Sequence, residues 1–358
     1  LLNLKRPLVK MLFLALLPAA LGLSCYKYQC SNLDGNTCIS YANNTYSIDP
    51  CSSSNEYCPL TAPGSTEPST CTKLTPTTGS KSYPGEPCSN STDCVYGNCT
   101  AHECFNGNTT CTLDTQCNPG HYCSNGLCTT QLAVNATGCT SETSCVNNAF
   151  CDFNQTQSKC IAYYTLPALT PVAYCKASIN PACQSGYCAS DTTGSQYLCT
   201  PTLESFFRIP AACTDSSNCR AVALPSSNFT TNSIVTECSC GYNSYANAYC
   251  GLFNGDSPAQ NYISQLKAWI SSSEIKECNT ARRFESDCYD AFWDKSNADK
   301  LTLYKTYTQN YPFLVDNSDC VKATYTSFYW SLDSTPDNDD DDSAAWLAAT
   351  LGLFLAVA

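Results

Sequence analysis

Cys88-SNSTD-Cys94-VYGN-Cys99-TAHE-Cys104 is followed by Cys111-TLDTQ-Cys117-NPGHY-Cys123-SNGL-Cys128 and then by Cys139-TSETS-Cys145-VNNAF-Cys151-DFNQTQSK-Cys160. Each copy is a cysteine, five polar residues, a second cysteine, and then a Gly or Asn turn before the next cysteine. A looser fourth copy carries Cys175, Cys183, Cys188 and Cys199, and a fifth opens at Cys213-TDSSN-Cys219. Spans this short, interrupted by Gly and Asn, hold only small hairpins and turns. From Cys88 to Cys160, 12 of the 73 residues are Cys and only 9 are Leu, Ile, Val or Phe. That is below the ~20% at which a chain struggles to bury a core. Disulfides take the place of that core. Each bridge closing a ~15-residue loop can offset ~3 kcal/mol of unfolded-state entropy.

The cysteine arithmetic extends this reading to the whole chain. All 30 cysteines of the 358 residues lie from Cys25 onward, and an even count predicts up to 15 bridges formed in an oxidising compartment. Zinc is the rival use of so many thiols, but only His102 and His121 are available and the tight Cys-x-x-Cys knuckle is absent. The net charge is −12, with 18 basic against 30 acidic residues. Such an acidic surface argues against nucleic-acid binding.

Both ends read as targeting segments. Lys5, Arg6 and Lys10 precede an apolar run, Met11 to Leu23, and Gly22 and Ser24 offer a small-x-small exit, so residues 1–24 are expected to be a secretory signal peptide. At the other end a polar stretch, Asp337 to Ala345, leads into an apolar tail from Trp346 to Ala358 with no Lys or Arg after it. Thirteen helical residues reach only ~20 Å, against ~30 Å of hydrocarbon. The expectation is a GPI-attachment signal over residues 333–358, with Asn338, Ser334 or Ser343 as the attachment residue. Asn-x-Ser/Thr sequons at Asn43, Asn90, Asn108, Asn135, Asn154 and Asn228 are candidate N-glycosylation sites, and Asn98 is discounted because Cys99 fills its middle position.

Between these ends the chain divides into a six-cysteine unit with its linker (25–84), the tandem repeats (85–200), a divergent cysteine-rich module (201–250) and a helical domain (251–332). Ser257-Pro-Ala-Gln260 reads as a capping box, followed by Tyr262, Ile263, Leu266, Trp269 and Ile270 at helical spacing. A second helix is expected from Ser271 through Phe292, a third over Leu301 to Tyr311, and a fourth element from Val321. Cys278 and Cys288 on one continuous helix would stand ~15 Å apart, beyond the ~7 Å a disulfide tolerates. They are therefore expected not to pair. If each cysteine block closes on itself, a bridge from Cys240 or Cys250 must cross to the helical segment. The aromatic stripe is read as core, and Arg282-Arg283 as a helix-surface ion pair with Glu285 or Asp287.

The repeat from Cys111 to Cys128 resembles part of the Dickkopf N-terminal cysteine-rich domain and, more loosely, EGF-type modules, although the adjacent Cys-Cys pair of the Dickkopf module is missing. The plan of signal peptide, cysteine repeats and GPI tail resembles cysteine-rich surface proteins of ciliates and other protists, including immobilisation-type antigens. No functional residue is carried over from either. His102-Glu103 fails as a zinc-protease motif because residue 106 is Asn, and no nucleophile elbow, phosphate loop, EF-hand or dinucleotide fingerprint is present. The expected class is thus small disulfide-rich β-hairpin modules in tandem before a mainly α-helical, membrane-proximal domain. The expected role is a glycosylated, lipid-anchored surface protein that recognises an extracellular protein or glycan, adheres or forms a coat, without catalysis or cofactor. A matrix or cyst-wall component, or a secreted protease inhibitor or hydrolase, is the alternative.

Overall fold

The computed structural model describes residues 23–324, apart from 54–55, 60–64, 74–80, 154–156, 177–178, 222–223, 231–232, 316–319 and 322. Small disulfide-bonded sheets of two or three strands run through residues 25–250, and helices follow from residue 257.

Among the described residues, four of the five repeats, all but the fourth, share one construction. A short 3-10 turn lies between the first two cysteines, as at Ser91–Asp93, Asp114–Gln116, Glu142–Ser144 and Ser216–Asn218. The residue before the second cysteine folds back to the backbone N–H that follows the first. Ser89 N donates to Asp93 Oδ2 at 2.9 Å, Thr112 N to Gln116 Oε1 at 2.7 Å, Thr140 N to Ser144 Oγ at 3.2 Å and Thr214 N to Asn218 Oδ1 at 2.9 Å. That contact explains why a short acceptor side chain recurs there, since the turn has no other partner for this N–H. The third and fourth cysteines then sit directly opposite each other on an antiparallel hairpin: Cys99 with Cys104, Cys123 with Cys128, Cys151 with Cys160, Cys188 with Cys199, and Cys238 with Cys250.

Facing cysteines do not bond to each other. Instead the first bonds the third and the second bonds the fourth: Cys88–Cys99 and Cys94–Cys104, Cys111–Cys123 and Cys117–Cys128, Cys139–Cys151 and Cys145–Cys160. Cys175–Cys188 with Cys183–Cys199, and Cys213–Cys238 with Cys219–Cys250, complete the fourth and fifth copies. The two bridges clamp the hairpin onto the segment before it, which is a 3-10 turn in all but the fourth. In the third copy the sulfurs themselves are the core, with Cys139, Cys145, Cys151 and Cys160 all buried around Ala149.

The N-terminal unit is a four-stranded sheet in the order Lys27–Cys30, Thr45–Ile48, Thr37–Ala42, Ser69–Thr70, with the first pair parallel. Asn43 and Asn44, at φ 51° and 59°, form the two-residue hairpin turn that suits a left-handed pair. Cys38–Cys58 and Cys51–Cys71 close within the unit. Cys25 and Cys30 do not: they bond Cys240 and Cys320. The six-cysteine block is therefore even but open, and the odd cysteine of the fifth repeat finds its partner at the N-terminus rather than in the helices. Cys250 serves the repeat itself. A row of rings reinforces the closure, with Tyr28 stacked on Tyr46 at 4.9 Å, Tyr242 against Tyr28 at 5.0 Å and Phe313 on Tyr242 at 5.3 Å.

The helical region contains α1 (Ser257–Ser271), α2 (Ser286–Phe292), α3 (Lys295–Gln309) and α4 (Tyr311–Leu314). The cap of α1 is Asp256, one residue before the expected box, and Pro258 stands in the first turn. Its stripe is core as read, with Trp269 fully buried. The continuous second helix is not formed. Residues 272–285 fold as two 3-10 turns, Glu274–Glu277 and Thr280–Arg282, which bring Cys278 and Cys288 to a Cα separation of 5.8 Å, and they are bonded. The expectation that this pair stays apart fails because the helix it assumed is broken between them. Of the expected fourth element, Cys320, Val321, Ala323 and Thr324 are helical, and residues 325–332 lie outside the described residues. Nor is the large core private to the helices, since Phe150, Tyr163, Tyr164 and Ala182 of the repeats pack with Trp269, Tyr289 and Leu301. A second apolar cluster, including Tyr187, Leu203, Leu224, Phe229 and Phe253, fills the fourth and fifth repeats.

Trypsin cleavage after the exposed Lys73 and Lys81 should leave the N-terminal unit attached on a non-reducing gel and release it with reductant. Release without reductant would contradict Cys25–Cys240 and Cys30–Cys320.

Candidate functional site

The loop between α1 and α2 is where the modules meet. Its 3-10 turns present carbonyls toward the repeats, where a buried amide reaches them. Asn147 Nδ2 donates to Ile275 O at 2.8 Å and Cys278 O at 2.9 Å. Asn279 Nδ2 returns the contact to the second repeat, donating to Thr115 O at 3.1 Å and Cys117 O at 2.8 Å. Gln131 Nε2 lies 3.0 Å from Thr143 O, 2.6 Å from Cys145 O and 2.6 Å from Thr280 Oγ1. Thr143 Oγ1 donates to Asp114 Oδ2 at 2.6 Å, so the second and third repeats also touch directly. Asn147, Asn279, Thr280 and Thr143 are all buried. In such a setting a missing partner is costly, and the contacts hold the repeats in fixed relative positions.

Charged groups reinforce the same seam. Arg283, with its side chain only 4% exposed, reaches Glu142 Oε1 at 3.2 Å and the Tyr163 hydroxyl at 3.0 Å, and donates to Thr280 O. Burial pushes the Tyr163 phenol well above the ordinary tyrosine range. Arg282 pairs with Asp287 at 2.7 Å, as the sequence suggests, but also with Glu86 at 3.2 Å, and it lies over the Tyr83 ring at 4.3 Å. Burial pushes the Glu86 carboxyl up against the pull of Arg282. The Arg-Arg pair is thus mainly internal glue, not a surface feature. Gly85, at φ 96°, is needed beside it, because a Cβ there would run into the Pro119 ring and the Glu277 carbonyl.

The structure distributes the remaining candidates over the outside. Asn43, Asn90, Asn108 and Asn135 are exposed, the first and last in left-handed turn conformations, and Asn228 is half-buried. Asn154 lies outside the described residues, as do Asn338, Ser334 and Ser343. Asn90 Oδ1 caps its own 3-10 turn, accepting from Thr92 N at 3.0 Å. His102 is exposed in a turn, and His121 Nδ1 sits 3.2 Å from Pro119 O. Several cysteine triplets bring their sulfurs within 4.8 Å, as at Cys139, Cys145 and Cys151, but every cysteine of the chain is already in a disulfide. Sulfurs so bonded offer no thiolate, the form a metal takes. Fifteen disulfides point to an oxidising compartment, secretory or extracellular. Among the described residues, no helix is long and apolar enough to cross a membrane.

No protein-family model matches the chain, and no curated protein or solved structure matches it either. The class it defines is a cysteine-rich protein of many small disulfide-bonded β-hairpin modules.

One substitution tests the seam and a second tests the burial of a carboxyl in the third-repeat hairpin. Asn147→Ala takes the amide donor from the buried Cys278 carbonyl, while Ile275 O keeps the Cys278 N–H, and should cost about 1–3 kcal/mol in non-reducing urea unfolding; a neutral result would remove Asn147 from the seam. Asp152 is buried, its Oδ1 has no hydrogen-bond partner, and burial raises its carboxyl above the ordinary aspartate range despite a backbone contact from Ala173. A raised folded-state value means that stability is lost as pH climbs through it. Asp152→Asn should therefore melt higher than the parent at neutral pH, with the lead shrinking as pH falls toward about 4. A lead that does not change with pH would contradict the burial argument.

Proposed function

We propose that this chain is a secreted, N-glycosylated, GPI-anchored surface protein that acts by recognition, adhesion or coat formation, of the kind found on ciliates and other protists. The observation that carries this reading is the closure of all 30 cysteines into 15 bridges, a framework that fixes the backbone while leaving turns and the sequon asparagines Asn43, Asn90, Asn108 and Asn135 outward. Loops held between fixed bridges can change sequence without loss of fold, which suits a surface that must vary or select partners. The acidic charge and the glycans favour solubility in an exposed layer. Because every thiol is spent inside the chain, none is left for covalent crosslinking, and this favours a coat of individual molecules over a crosslinked wall.

Phosphatidylinositol-specific phospholipase C should release the protein from intact cells, and glycosidase treatment should lower the mass of the released form in steps of single glycans. A mature surface protein that still yields a peptide containing Phe354 would overturn the anchor. An unchanged mass after glycosidase would overturn the glycan coat.

A further inference from the structure

Phe206 and Phe207 are exposed by 59% and 54%, and their rings stand edge to face at 5.1 Å. They do not hang from a loose loop. Phe206 N donates to Arg220 O at 2.7 Å, Ser205 bridges Ala221, and Arg220 bridges Val235, which is itself 49% exposed. The next residue back is pinned as well, because Ser205 N and Oγ both donate to the buried Asp256 at 2.8 and 2.6 Å. The result is a rigid, exposed apolar patch of the kind that a docking partner covers.

Two arginines stand at the patch, and Arg220 Nε donates to Ser217 O at 2.8 Å. Arg208 and Arg220 are exposed and form no ion pair among the described residues, whereas Arg282 and Arg283 are buried in pairs. The patch carries two arginines against the neighbouring exposed carboxylate, Glu204, and on a molecule of net charge −12 this excess of cation is complementary to the rest of its own surface. It cannot lie inside its own acidic regions, because the ladder fixes it outward. Two such patches face to face would oppose arginine with arginine, so a symmetric contact is disfavoured.

The complementary region lies toward the other end of α1. Asp256 caps the start of this helix, next to the patch, while Gln265 and Trp269, farther along, touch Asn297 at 3.2 Å and Tyr289 at 6.2 Å. There the exposed Asp290 and Asp299 flank Lys295, Asp294 caps α3 through Asn297 N, and Asp287, also exposed, is paired with Arg282. Lys295 binds Asp299 at 2.6 Å and lies 3.9 Å from Asp290, and acid remains in excess. The carboxyl of Asp290 is pushed up by burial and by its like-charged neighbours Asp299 and Asp287, against Lys295. A 15-residue helix separates the two regions by ~22 Å along its axis, a layout that suits head-to-tail stacking.

We propose that the Phe206–Phe207–Arg208 patch, with Arg220 and Val235, docks onto the Asp287–Asp299 corner of a second copy of this chain. The contact is heterologous, so it propagates into rows or sheets of molecules. It deepens the coat reading and rests on it for its biological meaning, while the anchor and glycans stand or fall separately.

Sedimentation of the full secreted chain, purified with its disulfides intact, tests this. The parent should associate with rising concentration and dissociate in about 1 M salt, where charges beyond ~3 Å are screened. Phe206→Ser/Phe207→Ser and Arg208→Glu/Arg220→Glu should each weaken association at least about tenfold, or ~1.4 kcal/mol. Asp290→Lys/Asp299→Lys should do the same, and mixing the two charge-reversed proteins should restore mixed association. All these positions are exposed, and unchanged circular dichroism checks the fold. A monomeric parent at every concentration, or reversed proteins that fail to associate when mixed, would overturn the proposal. So would a monomeric parent that binds phospholipid vesicles through the same phenylalanines. In that case the phospholipase release test would stand unaffected.

Discussion

The fold depends on crossing two disulfides through each repeat so that a hairpin is clamped to the segment before it, which is a 3-10 turn in all but the fourth. A unit of some 20–30 residues buries too little apolar surface to offset its chain entropy, and here the buried sulfurs fill the space that large side chains would occupy. Bonding the first cysteine to the third and the second to the fourth matters more than their number. Bridging the facing pair alone would close the hairpin and leave the 3-10 turn unattached. In the four repeats with a 3-10 turn, the acceptor side chain before the second cysteine makes the same join without covalent bonds.

Such units could still move past one another, and the seam around residues 272–285 removes that freedom. Asn147 donates to the Ile275 and Cys278 carbonyls, Gln131 reaches the Thr280 hydroxyl and Asn279 donates to the Thr115 carbonyl, while Arg282 and Arg283 bind Glu86 and Glu142 from the first and third repeats. The Cys278–Cys288 bond holds that segment in the bent form that presents those carbonyls. Cys30–Cys320 and the tyrosine row then tie the first unit to the last helices. The consequence is a braced body, not a beaded stalk, and binding to such a body sacrifices little ordering entropy. A coat or recognition protein gains from that property directly.

Much of this was legible in the sequence, and the limits have a physical cause. Local features carried through: the four-cysteine repeats, the buried stripe of α1 and the oxidised state of the thiols all follow from residues within a few turns of one another. The long-range features did not. Cys25 and Cys240 are 215 residues apart and Gln131 and Thr280 are 149 apart, and one sequence contains no signal for which of many polar groups will meet. The helix expected through Ser271–Phe292 had good apolar spacing, yet the carbonyls needed by Asn147 and the bond between its two cysteines won over local propensity. A faint sign was available in Cys278-Asn279, which repeats the Cys117-Asn118 pair at a point where the second repeat also ends a 3-10 turn. Arg282-Arg283 looked like surface because burying an arginine requires partners, and those partners, Glu86, Glu142 and Tyr163, come from other modules.

Non-reducing peptide mapping by mass spectrometry, at acid pH to prevent exchange, tests the account most directly. The account predicts cross-linked peptides joining Cys278 to Cys288, Cys30 to Cys320 and Cys25 to Cys240, with first-to-third and second-to-fourth pairing in each repeat. Bridges between facing cysteines such as Cys99 and Cys104, or six cysteines from Cys25 to Cys71 closed among themselves, would contradict it.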